Sequence, residues 1–115
     1  MSMAIIQTTN ANSPQAKLGQ DMLLALASLD LNPQLVLSGD GLRLWLRSEA
    51  NTVDVQSLHK RYAMLELFDC PAPWVHADEL AAHGWQTDDF IAQVDVLDAD
   101  SWREKINSLS NTLIY

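Results

Sequence analysis

One histidine stands where the chain turns from a short apolar run into a helical pattern, in Pro73-Trp74-Val75-His76-Ala77-Asp78-Glu79-Leu80. In open α/β sheets, ligands and reacting groups gather at such joints, because a helix N-terminus offers free N–H groups and a partial positive charge. His76 could act there as an acid–base group or a ligand. Its plainer role is to cap the helix or bond at the sheet edge, and that role takes precedence because no partner is evident nearby. His76, Asp78, Glu79 and His83 superficially resemble a metal cluster. The histidines, however, are seven apart and the first lies off the helix, unlike the i, i+4 pair of a helical zinc site, so no metal is expected.

Other reactive groups are few. Cys70 is the only cysteine and lies between Asp69 and Pro71, upstream of the apolar run, which suits a half-buried structural thiol better than a nucleophile. Ser38-Gly39-Asp40-Gly41 matches neither Gly-x-Gly-x-x-Gly nor a P-loop and reads as turn chemistry with positive φ at glycine. The four tryptophans suit core and interface packing more than a cofactor stack. His59-Lys60-Arg61 is the only basic triplet and reads as a solvated helix face. These residues form no catalytic constellation and imply no cofactor.

The elements that position them alternate. Met3 to Thr8 reads as a strand and Thr9 to Ser13 as a loop. Ser13-Pro14 is a helix start, since serine caps free N–H groups and proline at the first position loses no bond. Leu18, Met22, Leu26 and Leu29 recur at helical spacing, and Leu23, Leu24 and Ala27 widen that surface beyond one sheet contact. Deep burial in one subunit and a helix wedged between subunits both account for it. Gln34 to Leu37 makes a second strand, and Gly41 to Leu46 a short helix or turn. From Asp54, a plausible cap, Val55, Leu58, Tyr62 and Leu65 recur at helical spacing. Pro71 and Pro73 force extended chain into the strand Trp74-Val75-His76. Ala77 to His83 is a helix stopped by Gly84, Phe90 to Leu97 a fourth strand, and Asn111 to Tyr115 a last one. Asp98 or Asp100 caps the helix between those two strands, whose inner face is Trp102, Ile106 and Leu109. Strands separated by helices imply right-handed crossovers and a mostly parallel sheet covered on both faces: a three-layer α/β/α sandwich of about five strands.

Length and charge bound the rest. A chain of 115 residues makes one domain, 1–115. A formal charge of −8 argues against direct nucleic-acid binding, which needs clustered Lys and Arg. Between Arg61 and Arg103 there is no basic residue, while nine acidic ones, Glu66 to Asp100, fall in that interval; a solvated acidic surface or a docking face for a basic partner follows. The lone cysteine excludes an internal disulfide, and with no charged leader and no apolar stretch of membrane-spanning length the chain is expected in the cytoplasm.

Read together, several segments resemble the DsrE/DsrF-like sulfur-relay family, specifically its TusC/DsrF branch, over nearly the whole chain. Lys17 to Leu26 is similar to that branch's first helix, Asp40-Gly41-Leu42 to its Asp-Gly-Val after strand two, and Tyr62 to Asp69 to its Leu-Leu-Gly-Leu-Tyr-Asp helix end. Trp74-Val75-His76-Ala77 matches the strand that follows, and Trp102 to Tyr115 the final helix and strand. The first loop, Asn10 to Pro14, lacks the glycine the branch commonly has there. The resemblance implies a five-stranded parallel sheet with helices on both sides. It also implies membership of a heterohexamer with homologous small subunits, TusB/TusD-like or DsrE/DsrH-like. Such complexes take persulfide sulfur from a donor protein towards an acceptor, for 2-thiolation of the tRNA wobble uridine or for sulfur oxidation. The relay cysteine of the TusD/DsrE subunit lies at the end of the third strand, eight residues before a glycine; here that position is His76, eight before Gly84. Imidazole cannot carry sulfane sulfur through disulfide-like exchange. The resemblance therefore implies a non-catalytic subunit, with His76, Asp40, Gly41 and Cys70 as residues lining its site. Two alternatives remain: a diverged sulfurtransferase using Cys70, and a stand-alone domain that binds a small molecule near His76.

Overall fold

The computed structural model describes residues 3–115. The elements run β1 (Met3–Gln7), α1 (Pro14–Ser28), β2 (Gln34–Leu37), α2 (Val53–Tyr62), β3 (Trp74–His76), α3 (Ala77–His83), β4 (Asp95–Leu97), α4 (Ala99–Asn107) and β5 (Asn111–Ile114). Tight 3-10 segments fill Gly39–Trp45, Arg47–Glu49, Ala63–Phe68 and Thr87–Asp89.

Among the described residues the five strands form one parallel sheet in the order β4-β3-β2-β1-β5. The chain steps in one direction from β1 to β4, so right-handed crossovers put α1, α2 and α3 on one face; the return from β4 to β5 puts α4 on the other. The contacts agree. Ile5, Leu35, Leu37 and Val75, alternate positions on neighbouring strands, share a core with Leu23 and Leu26 of α1, Leu58 and Tyr62 of α2 and Leu80 of α3. Trp74 and His76 point the opposite way and meet α4: the His76 ring lies 5.3 Å from that of Trp102, and Lys105 Nζ lies 5.2 Å from the Trp74 ring. The result is the expected three-layer α/β/α sandwich. Its second helical layer is thin, because no α4 residue is fully buried and Trp102, Ile106 and Leu109 are only half-covered.

Several elements depart from the sequence reading for local reasons. α1 begins as expected, with the Ser13 hydroxyl accepting from Gln15 N at 3.2 Å and Pro14 in the first turn. Its inward face, however, is Ala16, Gly19, Gln20, Leu23, Leu26 and Ala27, while Leu18, Met22 and Leu29 point outward at 52%, 37% and 68% exposure. Closeness decides this. A Cβ on Gly19 would stand 2.9 Å from Gln7 Nε2 and 3.0 Å from Tyr115 Cβ, so the first half of α1 lies on β1 and the chain end with no room for a larger side chain. Thr52, not Asp54, caps α2, its hydroxyl accepting from Val55 N at 3.2 Å.

The fourth strand is Asp95–Leu97 rather than Phe90 to Leu97. Phe90 bridges antiparallel to Leu46, Ile91 N donates to Trp45 O at 2.8 Å, and the Arg47 guanidinium donates to the carbonyls of Asp88 and Phe90. Residues 90–94 are therefore held by the segment after β2 before the chain enters the sheet. Asp98, rather than Asp100, caps α4.

A polar knot ties the layers inside the core. Gln7 is fully buried; its Nε2 donates to Ala16 O at 2.9 Å, and its Oε1 accepts from the Tyr62 hydroxyl. Gln20, equally buried, donates through Nε2 to Leu58 O at 2.7 Å. Buried amides need such partners, so β1, α1 and α2 are held in one arrangement.

Candidate functional site at the strand ends

His76 is both the last residue of β3 and the cap of α3. With extended backbone (φ −88°, ψ 127°), its Nδ1 accepts the Asp78 N–H at 3.1 Å. An accepting Nδ1 is unprotonated, which places the ring proton on Nε2. Gly84 ends the helix at φ +70°, as its position suggests. β3 continues into α3 on one face while its neighbour β4 continues into α4 on the other, so the strand ends part between His76 and Leu97, the place where α/β sheets hold ligands. At the rim, Asp98 accepts from Ser101 N at 2.8 Å. Hydrogen bonds from Ser101 hold that carboxyl below its ordinary range.

The turn after β2 closes the same end of the sheet. Glu79 of α3 accepts from Gly39 N at 3.0 Å and from the Ser38 hydroxyl at 3.4 Å, latching the helix that His76 caps to this turn. Gly39 has the expected positive φ of +57°. Gly41 does not; it is glycine because a Cβ there would stand 1.8 Å from the Gln7 carbonyl oxygen. Asp40 faces solvent and lies 3.9 Å from Arg43.

Cys70 is not part of this group. It precedes Pro71 and Pro73 at the start of β3, at the opposite end of the strands, and lines a cavity of about 230 Å³. Burial, and secondly the charge of Asp69, push its thiol above the ordinary range, which disfavours the nucleophilic thiolate. The same cavity holds a residue the sequence reading misplaced. His59 is not on a solvated face: it is half-buried in the cavity wall, and burial lowers its pKa against the opposing pull of the Leu44 backbone. Its Nε2 is buried without a hydrogen-bond partner. The available signal was its spacing, one residue past the buried Leu58 and three before the buried Tyr62. Among the described residues no three His, Cys, Asp or Glu side chains converge as a metal would require.

A short parallel sheet, helices on both faces and a capped joint at the end of β3 define a small α/β sandwich with its candidate site on the strand crest. The family model for the DsrE/DsrF-like family matches residues 1–114, and the chain belongs to that family, the sulfur-relay family its segments resemble. Among solved structures, the ychN protein from E. coli superposes with a TM-score of 0.75 at 16% identity, covering 100% of both chains. The protein of unknown function MTH1491 from Methanobacterium thermoautotrophicum superposes with a TM-score of 0.62 at 13% identity, again over 100% of both chains. At these identities the likeness is one of fold. No curated protein matches the chain at a significant level.

Proposed function

We propose that this chain is a non-catalytic, TusC/DsrF-like subunit of a sulfur-relay complex. It supports a homologous subunit that carries persulfide sulfur, with 2-thiolation of the tRNA wobble uridine as the end use. One observation carries this reading: the residue at the crest of β3 is His76, whose Nδ1 is already engaged in capping α3. Handover of sulfane sulfur needs a thiolate at the point of exchange, and an imidazole has no sulfur atom to form the bond. The rival, relay through Cys70, asks a half-buried thiol with a raised pKa at the other end of the strands to act as the nucleophile. The outward apolar residues Leu18 and Met22 of α1 and Leu29 just past its end, together with Leu113 and Ile114 on the edge strand β5, offer surface for homologous subunits.

The test is sulfur loading with and without company. Incubated alone with a persulfide donor, the chain takes up no transferable sulfur; assembled with DsrE/TusD-like and DsrH/TusB-like subunits, it raises transfer through the partner's cysteine. Loading and release by the isolated chain would overturn the reading. Deleting the gene lowers tRNA 2-thiouridine; unchanged 2-thiouridine with failing sulfur oxidation would reassign the end use.

A further inference from the structure

The cavity beside Cys70 has no part in the crest at His76, and its construction is that of a receptor for one side chain. Its floor is aromatic: Trp45 and Tyr62 meet edge to face with centroids 4.8 Å apart, and both are almost fully buried. Pro71 and Pro73 stiffen one wall, and the Trp45 indole N–H donates to Ala92 O at 3.4 Å across the base, so the hollow exists before anything fills it. Size narrows the occupant. At about 230 Å³ the cavity falls below the roughly 300–1,000 Å³ of ordinary small-molecule pockets. It exceeds the ~150 Å³ that accommodates benzene, which leaves room for one large aromatic side chain.

The mouth describes what surrounds that side chain. Ala63 and Glu66, one turn apart on the 3-10 segment Ala63–Phe68, form part of the rim. The neighbouring face of that segment shows Met64 and Leu67 to solvent, at 41% and 79% exposure, an apolar apron beside the opening. Glu66 is the one charged side chain among the described residues that line the cavity, since burial disfavours the charged form of His59; Lys60 and Arg61 lie outside the lining. Beyond Arg61 the chain carries no basic residue until Arg103. An aromatic-lined hollow beside an apolar apron, with the Glu66 carboxylate at its edge, is the form of an interface hot spot.

We infer that this surface docks a protein segment presenting a tryptophan or similarly large aromatic side chain flanked by Lys or Arg. The aromatic ring fills the hollow over Trp45 and Tyr62, and the flanking cation meets Glu66. Because the hollow opens at the strand starts, away from His76, this partner and a subunit working at the crest can be held together.

Capped peptides Lys-Trp-Lys, Lys-Ala-Lys and Glu-Trp-Glu, with indole as a fourth probe, are titrated against the ¹⁵N-labelled full chain. Lys-Trp-Lys shifts the amides of Ala63, Cys70 and Ala92 saturably and slows maleimide alkylation of Cys70. Lys-Ala-Lys does neither, and Glu-Trp-Glu binds about tenfold more weakly. Ala63→Trp, at an exposed rim position, plugs the opening and abolishes the shifts, while Glu66→Lys removes the preference between the two tryptophan peptides. No saturable shift by about 10 mM Lys-Trp-Lys would overturn the inference. So would equal binding of both tryptophan peptides to the unmodified protein, or indole binding as tightly as Lys-Trp-Lys, which would mark a small-molecule pocket instead.

Discussion

The Nδ1 atom of His76 accepts the Asp78 backbone N–H at 3.1 Å, so an imidazole holds the place from which a side-chain oxygen usually caps a helix. With Trp102 against its ring, His76 is a joint between β3, α3 and α4. Replacing it by alanine frees that N–H and costs about 1 kcal/mol, the usual value of a cap. The melting temperature then falls by about 4 °C, while His76→Asn keeps most of the loss from appearing. Thermal unfolding followed by circular dichroism checks this; equal melting of the two variants would contradict the cap.

The reactivity of Cys70 follows from where it lies. Burial first, and Asp69 second, raise its pKa, so alkylation by iodoacetamide stays slow at neutral pH and rises only above the ordinary thiol range. Asp69→Asn removes the second cause, keeps a residue that tolerates the left-handed backbone at φ +55°, and moves the profile part of the way back. A rate at neutral pH matching an exposed low-pKa thiol would restore Cys70 as a candidate sulfur carrier.

Tyr62 sets an alkaline limit on stability. Burial raises its pKa far above the ordinary value, outweighing the charge of Arg61. The unfolded chain therefore loses this proton first, near pH 10, while the folded chain keeps it. The contribution is fully present below about pH 10 and declines as pH rises above it. Urea midpoints measured from pH 8 to 11 fall at the alkaline end, and Tyr62→Phe flattens the fall. That variant is also less stable at neutral pH by about 1–3 kcal/mol, because Gln7 Oε1 loses its buried partner.

Gly39 and Gly41 lie in one turn and answer differently to alanine. Nothing stands within 4 Å of a Cβ at Gly39, so Gly39→Ala costs only the strain of φ +57°, about 1 kcal/mol. Gly41→Ala drives a methyl into the Gln7 carbonyl at 1.8 Å, where backbone must move, and costs about 3 kcal/mol or more. Urea denaturation of the two variants gives the order directly.

On α1, Leu18→Lys and Met22→Lys change solvent-facing positions and leave stability within about 0.5 kcal/mol. If that face meets a homologous subunit, the same changes abolish co-purification with it. Intact assembly in the double variant would move the interface elsewhere, towards β5.

Much of this molecule is legible along the chain. Pro14 after Ser13, the run Gln34–Leu37, and Trp74–His76 leading into Ala77–His83 with Gly84 behind it are local signals, set by proline geometry, a short run buried on both faces and the freedom of glycine at positive φ. The identity of the crest residue, His76, is equally plain, because the type of residue at the end of β3 needs no coordinates to read.

Other features arise between segments far apart in sequence. α1 is apolar on more than one side, so periodicity could not say that Gly19 and Gln20 face inward while Leu18 and Met22 face out; the close approach of Gln7 and Tyr115 settles it. Residues 90–94 are apolar enough for a strand, yet Leu46, Trp45 and Arg47 hold them first. Gly41 owes its identity to a carbonyl on β1, and His59, Cys70 and Trp45 share a hollow that no spacing announces. Helix caps and turns are written in neighbouring residues, whereas burial and close contact depend on which distant surfaces the sheet brings together.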